Sequence, residues 1–181
     1  MADRNYLQNL YLRYKMERRS DELTIEEFEQ VLLLFPAVLI AAADGHIDTS
    51  EMMQLNKILR HLLAQIREQD VQEYDLKSEL RYISWNTKVW RDPFLRCLRE
   101  YIEEHKLGEM VVDIMIAAAS ASTGSLINNI LLQTYNPDGS TTGSQAQASF
   151  ISDIEKNEIL RITDFLGLSE DAGVRRRLAT L

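Results

Sequence analysis

Apolar residues recur along this chain three and four positions apart, the spacing of helices with one buried face. Tyr6, Leu7, Leu10, Tyr11 and Tyr14 open the series and predict a first amphipathic helix. Thr24-Ile25-Glu26-Glu27 has capping-box form, so a second helix is predicted from Ile25 toward Ala43. Pro36 lies inside it and removes an amide donor, which predicts a kink or a break into two helices. Beyond an Asp-Gly corner, Met52, Leu55, Ile58, Leu59, Leu62, Leu63 and Ile66 form an apolar stripe to about Arg67. Gln69 to Lys88 reads as a further helix carrying Tyr74, Leu80, Ile83 and Trp85. Asp92-Pro93 is a start signal, with aspartate as cap and proline at the first helical position. Phe94, Leu95, Leu98, Tyr101 and Ile102 then give a core face, with Cys97 beside it as a small semi-buried hydrophobe. Leu107-Gly108 interrupts, and Met110 to Ala121 is helical again.

Two parts of the chain match. Val38-Leu39-Ile40-Ala41-Ala42-Ala43-Asp44 is mirrored by Ile114-Met115-Ile116-Ala117-Ala118-Ala119-Ser120. Farther on, Ile47-Asp48-Thr49-Ser50-Glu51 followed by Leu55, Ile58 and Leu62 is mirrored by Ile151-Ser152-Asp153-Ile154-Glu155 followed by Ile159, Ile162 and Leu166. The three apolar offsets from the glutamate agree, the mark of a duplicated helix–corner–helix unit. The second copy carries about thirty extra residues, Ala121 to Phe150. They include the apolar piece Leu126 to Leu132, which reads as an extension of the preceding helix or as a short strand, the helix being favoured, and a small polar run from Ser140 to Ser149.

The expected fold is therefore all-α: a single helical domain of about seven to nine helices built from two pseudo-repeated helical halves. An N-terminal helix covers 1–20, the first half 24–67, linking helices 70–106, the second half 107–169 with the inserted segment 121–150, and a C-terminal helix 169–181.

Composition narrows the function classes. The chain has 181 residues, enough for one well-formed core, and a formal charge of −8, which argues against duplex nucleic acid as a partner. The most basic run, Arg13 to Arg19, reads as a solvated helix end whose cations complement the helix dipole. Val31 to Ala43, the longest near-apolar stretch, falls short of the roughly 20 residues a membrane span needs, so no stable membrane insertion is expected. One cysteine and no visible targeting segment suit a reducing cytoplasm. Trp85 and Trp90 read as core or groove-lining anchors rather than base-stacking platforms.

Candidate chemistry concentrates at one corner. Asp44, Asp48 and Glu51 fall within eight residues where two helices meet, and folding the halves together brings Glu155 toward the same place. Hard cations need several oxygens converging at about 2.0–2.6 Å, which such a corner can supply, and His46 offers a nitrogen to a softer metal. Capping explains the same residues: Asp48 with Glu51, and Ser152 with Glu155, each read as a capping box. Both readings stand at this point, and Asp44 discriminates, because a carboxylate at a helix C-terminus opposes the dipole. An EF-hand is excluded: with Asp44 as position one, Leu55 occupies the position of the obligatory glutamate. His46, His61 and His105 lack zinc-site spacing, and the chain has no phosphate-binding glycine loop and no nucleophile–base pair. No catalytic residue and no organic cofactor are therefore expected.

The Ala-Ala-Ala-Asp-Gly-His-Ile-Asp-x-x-Glu stretch and the later Ile-Ser-x-x-Glu…Leu-Gly-Leu-Ser run ending at Ser169 resemble the tellurite-resistance protein B (TerB-like) family. The resemblance covers roughly Phe28 to Ser169 without the insert. It implies two related helical halves, a role in tellurite resistance and wider chemical-stress responses, and divalent-cation binding by the acids of the Asp-Gly corner. Ser120 in place of a second Asp44, the long insert and the extra N-terminal helix depart from that pattern. The expectation is a non-enzymatic cytoplasmic stress-response protein holding Ca²⁺, Mg²⁺ or Zn²⁺ at Asp44, Asp48, Glu51 and Glu155. Its partners would be other stress-response proteins. The alternative is a helical protein-interaction scaffold without a metal, docking its partner on Leu126 to Leu132 or on the tyrosine-bearing first helix.

Overall fold

The structure is a computed structural model in which residues 5–19, 22–43, 76–121, 151–179 and 181 are described. Among the described residues the chain is all-α, with seven helices and no strand. These are α1 (Asn5–Arg18), α2 (Ile25–Ala41), α3 (Leu76–Trp85), α4 (Thr87–His105), α5 (Gly108–Ala121), α6 (Asp153–Phe165) and α7 (Ala172–Leu178). None of them is long and apolar enough to cross a membrane.

The core is built around α2. Its N-terminus has the expected capping box: Thr24 Oγ1 accepts the Glu27 amide at 3.2 Å, and Glu27 Oε2 accepts the Thr24 amide at 2.7 Å. Every residue from Gln30 to Ile40 is buried, because α1, α3, α4, α5 and α6 all pack against this helix. Of the two outcomes predicted at Pro36, a kink or a break into two helices, the break does not occur: α2 runs through it as one helix. A proline inside a helix costs about 3 kcal/mol or more, and the packing on all sides of α2 outweighs it.

A second correction concerns Asp92-Pro93. The helix expected to start there begins at Thr87, and Pro93 lies inside it. Trp90 and Phe94, both fully buried and one turn apart, extend the helix back past the proline. The preceding helix ends at Trp85 rather than Lys88, and Asn86 makes the turn between them, its amide bonded to the Ile83 carbonyl at 2.9 Å. Trp85 is 79 % exposed, so of the two tryptophans Trp90 alone is a core anchor.

Aromatic contacts fasten α1 to this frame. The Tyr14 ring lies 5.3 Å from Phe28, 5.2 Å from Trp90, and 5.7 Å from both Tyr82 and Phe94. Its hydroxyl donates to Glu79 Oε2 at 2.6 Å, and Arg18 Nε stands 3.4 Å from the same oxygen. The basic run of α1 is only partly solvated. Arg18 lies over the Tyr82 ring and Arg13 over Trp90, each at 5.1 Å, and Lys15 over Tyr11 at 5.4 Å.

The Leu-Gly-Leu-Ser run closes α6. Gly167 takes φ +74°, its amide bonds Asp164 O at 2.9 Å, and the Leu168 amide bonds Thr163 O at 3.0 Å, a Schellman motif. Asp171 Oδ1 then caps α7 by accepting the Gly173 and Val174 amides. Arg177 docks that helix on α5, its Nε donating to Asp113 Oδ1 at 2.6 Å and its Nη1 standing 2.5 Å from Glu109 Oε2. The hydrogen bond to the Asp113 carboxylate raises the Arg177 pKa above the usual guanidinium value.

Candidate functional site

The end of α2 leads toward the acidic corner. Ala42 and Ala43 follow it as a turn, and their amides bond Val38 O and Ile40 O at 3.0 Å. Asp44 is the next residue in sequence, but Asp44, Asp48 and Glu51 lie outside the described residues, as do His46, His61 and the Leu126–Leu132 piece. Glu155, the remaining proposed ligand, is described. It is buried at the start of α6, where its Oε2 accepts the Ser152 amide at 2.9 Å and the Ser152 hydroxyl at 2.7 Å. Ser152 Oγ accepts the Glu155 amide in return at 3.2 Å. The capping box read from the sequence at Ser152 and Glu155 is thus complete at the start of α6. Among the described residues, no group of three or more His, Cys, Asp or Glu side chains is placed to hold a metal.

Where the turn after α2 meets α4 and α6 there is a cleft of about 450 Å³. Leu39, Ala42 and Ala43 form one wall, the first turns of α4 a second, and Ile154, Asn157, Glu158 and Arg161 of α6 a third. Among the described residues, its charged side chains are Lys88, Arg91, Glu158 and Arg161. Arg91 Nη2 stands 2.5 Å from Glu158 Oε1, while Arg161 Nη1 is 3.8 Å from Glu158 Oε2. The Glu158 side chain is 12 % exposed and that of Arg161 is 78 % exposed, so the acid is sunk into the wall and the cation stands at its rim.

This cationic wall was not anticipated from the sequence. Lys88-x-x-Arg91 and Glu158-x-x-Arg161 are visible as helical pairs, but nothing in the chain's order announces that two segments so distant share a cleft. A second groove, about 280 Å³ between α1, α2 and α4, is lined by Glu29, Glu100, Glu104, His105 and Cys97 among others. His105 stacks on Tyr101 with ring centroids 4.4 Å apart. Burial, and after it the nearby Glu100 carboxylate, push the Cys97 thiol up to about 12, so the thiolate that reactive cysteines need is scarce at neutral pH. Cys97, 2 % exposed, is a core residue, buried more deeply than the semi-buried place beside the core face that the spacing predicts.

Comparison with protein-family models, with curated proteins and with solved structures finds no match to this chain.

Proposed function

We propose that this chain is a non-enzymatic, cytoplasmic binding protein of the TerB-like type, built from two related helical halves and serving a chemical-stress response. Its ligand in this reading is a divalent cation at the Asp44–Glu51 corner. One observation carries the proposal: α2 and α5, whose C-terminal ends share the Val38–Ala43 and Ile114–Ala119 pattern, pack against each other, and α6 packs on both. Such pairing of matched helices is what a duplicated unit requires to bury its two apolar faces in one core. Glu155 enters this reading as a helix cap rather than as a ligand, given its bonds to Ser152. The test is a calorimetric titration with Ca²⁺, Mg²⁺ and Zn²⁺ on the chain and on Asp44→Asn. Saturable heat that the substitution removes supports the site; equal heats in both proteins take Asp44 out of it.

The scaffold reading is favoured by a different observation. Leu12 and Met16, one turn apart on α1, are 50 % and 79 % exposed, on the face turned away from the fully buried Tyr14. Under that reading, Leu12→Ser with Met16→Ser abolishes capture of a protein partner and leaves the metal titration unchanged.

A further inference from the structure

We propose that the cleft between the end of α2, the first turn of α4 and α6 binds a small organic anion, a phosphate monoester with an apolar body. The inference is independent of the metal reading, since every residue it uses lies on a described helix or turn. Among the described residues that line it, three cations, Lys88, Arg91 and Arg161, face one acid, Glu158, which leaves two positive charges in excess. That balance runs against the chain, which carries 28 acids to 20 bases.

The arrangement also divides the work among the cations. Glu158 holds the Arg91 guanidinium at 2.5 Å, whereas Arg161 is at ion-pair range only, 3.8 Å, and Lys88 makes no ion pair among the described residues. Two cationic side chains are therefore available to an incoming anion, and the third is fixed in place behind them.

Backbone donors lie alongside. Asn86, the residue before α4, makes no side-chain cap; its amide group donates instead to the Tyr82 carbonyl at 2.8 Å. The amides of Thr87 and Lys88 thus begin a 19-residue helix without a side-chain acceptor from Asn86, and both residues line the cleft. Early helix amides and the positive end of the helix dipole favour a phosphoryl group in that position.

The volume and the opposite walls argue for more than a bare ion. A cleft of about 450 Å³ lies within the range of small-molecule sites, and inorganic phosphate fills only part of it. Leu39, Ala42, Ala43 and Ile154 supply an apolar surface, and Ile154 is 56 % exposed there. An apolar body laid on this surface removes it from water while the two charges of the monoester meet the two excess cations.

The experiment is an amide-resolved NMR titration of the full chain with phenyl phosphate, beside inorganic phosphate and phenol. Phenyl phosphate is expected to move the Thr87 and Lys88 amides and those of the first turns of α6 saturably. It should bind about tenfold tighter than inorganic phosphate, because the ring adds apolar burial. Phenol should give no saturable shift. The double variant Lys88→Gln with Arg161→Gln, both at exposed positions, should keep its thermal midpoint and lose about tenfold in affinity. Unchanged affinity in the double variant overturns the site, as does the absence of saturable shifts at millimolar phenyl phosphate. Inorganic phosphate binding as tightly as phenyl phosphate overturns the organic-anion assignment.

Discussion

Removing the Tyr14 hydroxyl isolates one buried bond that ties the first helix to the third. Tyr14→Phe keeps the ring and its contacts with Phe28, Tyr82, Trp90 and Phe94. It deletes only the donor that reaches Glu79 Oε2 at 2.6 Å. Glu79 is 1 % exposed, so water cannot simply replace that donor, and Arg18 at 3.4 Å compensates it only in part. A hydrogen bond to a charged group contributes about 1.5–3 kcal/mol net, so the expected loss is about 2 kcal/mol. For a chain of this size that lowers the thermal midpoint by about 4–8 °C. The urea midpoint falls by about 1 M at an unchanged slope. Equilibrium urea unfolding followed by far-ultraviolet dichroism measures it, within a cycle that adds Glu79→Leu and the double variant. Replacing both partners by apolar groups removes the carboxylate that has lost this donor, so the double variant should be more stable than the sum of the singles implies, by about 1–2 kcal/mol. A loss below about 0.5 kcal/mol in Tyr14→Phe, or a coupling of that size or less, refutes the assignment.

Two further predictions concern the core thiol and the end of α6. The Cys97 pKa, pushed up to about 12 from 9.0, lies above its unfolded value, so the folded chain retains a proton that the unfolded chain releases. Its contribution is whole below about pH 9 and is lost as pH rises toward 12, at up to about 1.4 kcal/mol per unit. Urea stability measured at about pH 8 and again near pH 10.5 should therefore fall less steeply in Cys97→Ala by about 1–2 kcal/mol, and identical pH dependence in the two proteins contradicts this. Gly167→Ala should lower stability by about 1–2 kcal/mol, the cost of a side chain in the left-handed region. An added Cβ meets nothing nearer than Arg99 at 3.6 Å, so backbone strain at φ +74° is the whole effect, and an unchanged thermal midpoint rules it out.

By itself the sequence determined those features whose energy is local. The capping boxes at Thr24–Glu27 and Ser152–Glu155 each join partners three residues apart. The all-α class followed from periodicity, because burying one face of each helix is the dominant demand on a chain of this composition. Local signals failed where packing opposed them. Pro36 allows a break and Asp92-Pro93 announces a start, yet helices surround the first and the buried Trp90–Phe94 pair spans the second, and the apolar area at stake exceeds the price of one missing amide bond.

Tertiary structure alone decided the rest. That Arg13 and Arg18 lie on aromatic rings while Trp85 is exposed depends on how α1 crosses α3 and α4, which no short spacing encodes. The cationic cleft is the plainest case. Lys88 and Arg91 belong to one helix, Glu158 and Arg161 to another, and their charges act together only because α4 and α6 both pack beside the end of α2. Charge interactions depend on distance through space, and sequence order does not report that distance until the chain has folded.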